Sequence, residues 1–150
     1  MYQDKDTVTL SKVEKDVKEL NEADLKIVTK KKISKNDMAA IKFGWKIIRN
    51  VRSNAIILVK GTKTVGIGAG LTSRIDAAKL AIQKAGTQAK NSILISDAFL
   101  PKTDNVIAAA KAGIKIIVQT GGSIADEGVI KAADKAKIAM VMTGIRHFKH

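Results

Sequence analysis

Ile114-Lys-Ile-Ile-Val-Gln119 is an almost unbroken β-branched run, the pattern of a strand buried on both faces of a parallel sheet. Such a strand needs layers on both sides and a crossover to reach its neighbour, which restricts the chain to an α/β architecture. The surrounding sequence supplies the parts. Ser92 to Ser96 and Ile138 to Met142 read as further strands. Between the three lie two helical patterns: Asn105 to Ala112, capped by Asp104 and stopped by Gly113, and a segment from Gly121-Gly122-Ser123 to about Lys137.

Upstream, Ser34 and Asn36 are candidate caps for a helix ending near Asn50, with Met38, Ile41, Trp45 and Ile48 on one face. Trp45 reads as core, not as a base-stacking platform. Ala55 to Val59 and Thr64 to Ala69 are two strands joined by Lys60-Gly-Thr-Lys63, close enough for an antiparallel hairpin. Gly66, Gly68 and Gly70 leave alternate positions bare, so another backbone, a ligand or both pack there. Ser73 caps a helix to about Ala85 that turns Ile75, Ala78, Ile82 and Ala85 inward. Leu25 to Thr29 is a short β-branched run before the basic Lys30-Lys31-Lys32. Residues 1–23 are polar, with Leu10, Val13, Val17 and Leu20 at helical spacing; they form a connector, a docking segment or an amphipathic extension ahead of a domain spanning residues 24–150.

One hairpin followed by right-handed crossovers gives a three-layer α/β domain, a mixed five-stranded sheet with helices on both faces. Its ligand rim should lie beyond the carboxyl ends of the parallel strands, near Gly70 to Arg74, Asp97 to Asn105 and Thr120 to Ser123. This order is that of the cytidine-deaminase-like fold. Its zinc enzymes take ligands from a His-x-Glu or Cys-x-Glu at one helix start and Pro-Cys-x-x-Cys at the next. Here those places read Ser73-Arg-Ile-Asp76 and Pro101-Lys-Thr-Asp104, cysteine is absent, and the only histidines are His147 and His150. No metal is expected, and zinc-dependent hydrolysis is excluded.

At 150 residues and 45% apolar, the chain can bury one substantial core. No apolar run approaches the roughly 20 residues of a membrane span, and the charged N-terminus does not resemble a signal sequence, so a cytoplasmic protein is the expectation. The net charge of +13 invites an anionic partner. Its lysines are scattered as on a solvated surface, and with few aromatic platforms nucleic acid is not the expected ligand.

Five blocks in order carry a specific resemblance: Leu25-Lys-Ile-Val-Thr-Lys30; Val51-Arg-Ser-Asn-Ala-Ile56; Val65-Gly-Ile-Gly-Ala-Gly70 with Ser73-Arg74; Ser96-Asp-Ala-Phe99 with Pro101; and Gly121-Gly-Ser123 followed by Thr143-Gly-Ile-Arg-His-Phe-Lys-His150. From Leu25 to His150 the chain resembles the C-terminal part of the AICAR transformylase domain of the bifunctional purine-biosynthesis enzymes, whose other domain is an IMP cyclohydrolase. The resemblance implies formyl transfer from 10-formyltetrahydrofolate, as cosubstrate, to the amine of 5-aminoimidazole-4-carboxamide ribonucleotide. It also implies a homodimer, or a partner chain carrying the first transformylase subdomain. That subdomain holds the family's proton-transferring Lys-His pair; Lys149-His150 does not match its context.

Carried over residue by residue, Asn54 matches the asparagine that positions amine and formyl group, and Arg74 an arginine facing the substrate. Ala98 and Phe99 match the turn on the imidazole carboxamide, Arg146 a phosphate-binding arginine, and Asp104 and Asn105 positions beside the folate. Taken singly, Asn54 reads equally as the start of a strand, Arg74 as a solvated helix residue, and Asp104 and Ser123 as caps. The chain departs from the family at Leu100 and Lys102, where aromatic residues are usual, and a flat pteridine favours stacking surfaces. A noncatalytic nucleotide-binding module is therefore the alternative reading.

Overall fold

The computed structural model describes residues 20–145; the amphipathic stretch from Leu10 to Val17 and the terminal Arg146 and His147 lie outside the described residues. The chain runs β1 (Lys26–Ile27), α1 (Lys35–Ile48), β2 (Ile56–Lys60), β3 (Lys63–Gly68), α2 (Arg74–Ala85), β4 (Ile93–Ser96), α3 (Asp104–Ala112), β5 (Ile116–Gln119), α4 (Asp126–Lys135) and β6 (Ala139–Met142). The strands form one sheet in the order β1-β6-β5-β4-β2-β3. β4, β5 and β6 are parallel, β2 pairs antiparallel with both β4 and β3, and β1 closes the far edge antiparallel to β6. The five expected strands and the hairpin-then-crossover order of the cytidine-deaminase-like fold are present. Among the described residues the sheet has six strands, because part of the Leu25–Thr29 run pairs with β6, Lys26 opposite Met142 and Ile27 opposite Val141. So short a strand carries no periodicity of its own; only the edge of β6 makes it one.

The sheet divides the core in two. On one face lies α1, whose Ile41, Trp45 and Ile48 pack on Ile57, Val59, Ile93, Ile95, Ile116 and Val118. On the other, α2, α3 and α4 cover Ile56, Leu58, Leu94, Ile117 and Met140. α1 begins with a reciprocal cap: Ser34 Oγ accepts from the Asp37 amide at 3.1 Å, and the Asp37 carboxylate accepts from the Ser34 amide at 3.0 Å.

Gly66 and Gly68 are explained by α2. A Cβ on Gly66 would lie 2.1 Å from the Ala81 carbonyl oxygen, and one on Gly68 2.0 Å from that of Ala77. The glycine pattern therefore serves backbone-to-backbone packing of strand and helix. The same approach selects the buried face of α2, which is Ala77, Ala78, Ala81 and Ala85; Ile75 and Ile82, expected inside, are half-buried at its flank. α3 begins at Asp104 itself and Thr103 makes no side-chain cap. Asp104 instead accepts at Oδ1 from the Asn105 amide (2.8 Å) and Asn105 Nδ2 (3.1 Å).

Candidate functional site

The antiparallel pairing of β2 brings its first residue, Ile56, opposite Ser96 at the end of β4 and opposite Gly68 at the end of β3. Asn54, the loop from Gly70 to Arg74 and the Asp97 turn thus share one end of the sheet. Arg74, in the first turn of α2, turns inward here, and its side chain is 7% exposed. Nη1 donates to Asp97 Oδ1, to Ser96 Oγ at 3.1 Å and to the Ala55 carbonyl at 3.3 Å. Nη2 donates to Asn54 Oδ1 at 2.9 Å. Asp97, 1% exposed at its side chain, also accepts a hydrogen bond at Oδ2 from Ser53 Oγ. A charge this buried is tolerated only when paired and hydrogen-bonded, and both partners meet that condition.

Asn54 is held on three sides. Its amide donates to the Leu71 carbonyl at 3.2 Å, Nδ2 donates to the Thr72 carbonyl at 3.2 Å, and Oδ1 accepts from Arg74. Arg52 and Gly70 join the same two loops through Gly70 N to Arg52 O at 2.8 Å, with Gly70 at φ +67°. An open depression of about 570 Å³ lies over this junction, lined by Arg52, Ser53, Ala69, Gly70, Leu71 and Thr72.

The turn after β4 continues the rim. Ala98 is buried and Phe99 half-exposed. Leu100 is fully buried, with its amide held by Gln119 Oε1 at 2.9 Å. The Leu100 side chain belongs to the core beneath the turn, so its aliphatic character is a packing choice; Lys102 alone is a surface departure. Asn105 is 1% exposed, and among the described residues its Oδ1 has no hydrogen-bond partner. Asp104 stands at one end of a groove of about 660 Å³ between α2 and α3, whose apolar walls include Ile75, Ile82 and Ile107. Among the described residues no group of three or more His, Cys, Asp or Glu side chains is placed to hold a metal ion.

At the third loop, Gly121 and Gly122 take φ of 75° and 99°. The Gly122 and Ser123 amides ahead of the helix, a type of site that binds anions, are filled from within. Asp126 Oδ2 accepts from Gly122 N at 2.8 Å and Oδ1 from Ser123 N at 3.1 Å. At the opposite end of the sheet, Lys115 Nζ lies 2.7 Å from Asp37 Oδ1. Burial pushes the Asp37 carboxyl up, but hydrogen bonds from Lys115 and from the Ser34 amide and hydroxyl, with the Lys115 charge, outweigh it and hold the group below its ordinary value.

Asn54 and Arg74, far apart in the chain, are therefore in contact, and Ala98 with Phe99 follows directly on their anchor Asp97. Asp104 and Asn105 occupy the next helix start, and Arg146 is beyond the described residues. Ser53, Ser96 and Asp97 were not singled out as site residues. The signal for Asp97 was available: an aspartate directly after the buried run Ile93-Leu-Ile-Ser96 needs donors or a cation, and Arg74 opens the helix on the same rim.

The AICARFT/IMPCHase bienzyme family model matches residues 2–84. The chain is 45% identical over all 150 residues to the bifunctional purine biosynthesis protein PurH of Anoxybacillus flavithermus, of which it covers 27%. It is 51% identical over 91% of its length to the PurH of Halalkalibacterium halodurans, again covering 27%, and 51% identical over 87% to that of Shouchella clausii, covering 25%. The chain thus spans about a quarter of the length of these relatives. Among solved structures, Acinetobacter baumannii RibD aligns over 71% of this chain and 35% of its own at TM-score 0.46 and 16% identity. The chain belongs to the AICARFT/IMPCHase bienzyme family.

Proposed function

We propose that this chain is the C-terminal subdomain, residues 24–150 with residues 1–23 as a connecting extension, of an AICAR transformylase. It acts in purine biosynthesis in the cytoplasm, beside a first subdomain contributed by the rest of the enzyme or by a partner subunit. The substrate is 5-aminoimidazole-4-carboxamide ribonucleotide and the formyl donor 10-formyltetrahydrofolate. The observation that carries this reading is the meeting of Asn54 and Arg74 at the sheet end, in a member of this family.

In the reaction the substrate amine attacks the formyl carbon, a C–N bond forms, the bond from that carbon to the folate nitrogen breaks, and the amine's proton ends on the folate. The attacking nitrogen must be held close to the carbonyl, and charge growing on the carbonyl oxygen must meet donors. Asn54 supplies positioning; an amide cannot act as a general base, so the proton passes through groups outside this chain. Arg74, Ala98 and Phe99 line the imidazole side, Arg146 takes the phosphate through its guanidinium fork, and Asp104 and Asn105 face the folate.

The test is reconstitution. The chain, alone and with the remainder of a PurH-type enzyme, is assayed for formyl transfer and titrated with the ribonucleotide by calorimetry. Transfer only in the reconstituted sample is expected, with binding weakened by Arg146→Ala. Ribonucleotide binding without transfer and without any response to folate establishes the noncatalytic module instead; no binding at all rejects both.

A further inference from the structure

The geometry points to Asp97 as a positioning residue that acts through Arg74 to fix which edge of the Asn54 carboxamide faces the ligand. A guanidinium only donates, so the Asn54 atom that meets Arg74 Nη2 at 2.9 Å must be the oxygen. A backbone carbonyl only accepts, so the atom 3.2 Å from the Thr72 oxygen must be the nitrogen. The two contacts demand the same orientation, and the amide cannot be turned over without breaking both. One Nδ2 hydrogen is used by Thr72. The other is the polar hydrogen Asn54 has left to offer at the rim, so the residue acts there as a donor.

Arg74 can hold the oxygen only because it is itself immobilised. Nη1 is shared among Asp97, Ser96 and the Ala55 carbonyl, and Asp97 is pinned on its second oxygen by Ser53. Asp97 is nearly inaccessible, so it reaches the rim through its two partners, the guanidinium that holds the Asn54 oxygen and the Ser53 hydroxyl. Without it Arg74 loses its only charged partner among the described residues and the amide loses its reference. Resting on the formyl-transfer reading, the outward N–H suits the formyl oxygen, where negative charge grows as the amine attacks; an amide turned the other way would present a carbonyl and repel that charge.

Two measurements test this, one independent of activity. In the 15N-labelled full chain, the Asn54 side-chain amide is followed by NMR. One of its two hydrogens should be protected from exchange, and Asp97→Asn and Arg74→Lys should each reduce that protection about tenfold, the scale of one charge-assisted hydrogen bond. Arg74→Lys retains a cation for Asp97 and serves if Asp97→Asn does not fold. In the reconstituted enzyme, Asp97→Asn should lower kcat about 10- to 100-fold with KM for the ribonucleotide within about threefold. In an Asn54→Ala background the same substitution should cost less than about threefold, since the residue it positions is gone. An Asn54 amide unchanged in folded variants overturns the proposal, as does a full, additive rate loss beside Asn54→Ala. If the unaltered assembly transfers no formyl group, the functional reading fails and the amide measurement still decides the positioning role.

Discussion

Gly68 shows how little room some residues have. Its missing side chain lets the Ala77 carbonyl of α2 come within 2.0 Å of where a Cβ would sit, so Gly68→Ala must push strand and helix apart. The expected loss is at least about 1–3 kcal/mol in urea unfolding with an unchanged m-value. Arg74→Ala should cost more, about 3–5 kcal/mol, by leaving Asp97 buried without a counter-charge; thermal or urea unfolding of the two single variants ranks them. What could be read from sequence at this scale was uneven. Gly66-x-Gly68 announced a close approach but not what approached, because glycine records only the absence of a side chain. Trp45 was readable as core from its helical face. Arg74 was not readable as buried: helical spacing says which face a residue occupies, and the acceptors that draw the guanidinium inward come from the loop before β2 and from the end of β4 and the turn after it.

At the scale of elements, α1 carries the clearest local signal. Ser34 and Asp37 cap it reciprocally, and Asp37 also reaches Lys115 ahead of β5. Ser34→Ala is expected to cost about 1 kcal/mol. The lowered Asp37 pKa adds stability that is present above the group's unfolded-state value and lost as pH falls through the lower native one. Chemical denaturation should therefore show wild type more stable than Asp37→Asn near neutrality, with the gap shrinking in the acid range below the ordinary 3.8. Within the described residues, strands and helices with their own periodicity were legible: the β4, β5 and β6 runs, the hairpin, and the helices ending at Ala85 and Ala112. β1 was not, since two residues become a strand only where β6 offers an edge. The buried face of α2 was misread toward its isoleucines because hydrophobicity outvotes size in a periodicity argument, whereas contact with a glycine strand selects size.

For the molecule as a whole, the net charge of +13 sets a long-range field even though no single lysine defines a site. Under the proposed function, capture of an anionic ribonucleotide should slow several-fold as added salt shortens the screening length from about 30 Å to about 8 Å, measurable by stopped-flow binding. Topology was the most legible level, because right-handed crossovers leave few ways to join these elements. It brought the loops at Gly70 to Arg74, Asp97 to Asn105 and Thr120 to Ser123 to one end of the sheet, but did not foresee the Asp126 carboxylate that fills the Gly122 and Ser123 amides, which depends on a loop conformation with two positive-φ glycines. The remaining end holds the Asp37–Lys115 pair and the exposed Gly61-Thr62 turn of the hairpin. A fluorophore or affinity tag inserted between Gly61 and Thr62 would sit a full strand length away from Asn54, reporting on the folded chain while leaving the rim open to whatever binds there.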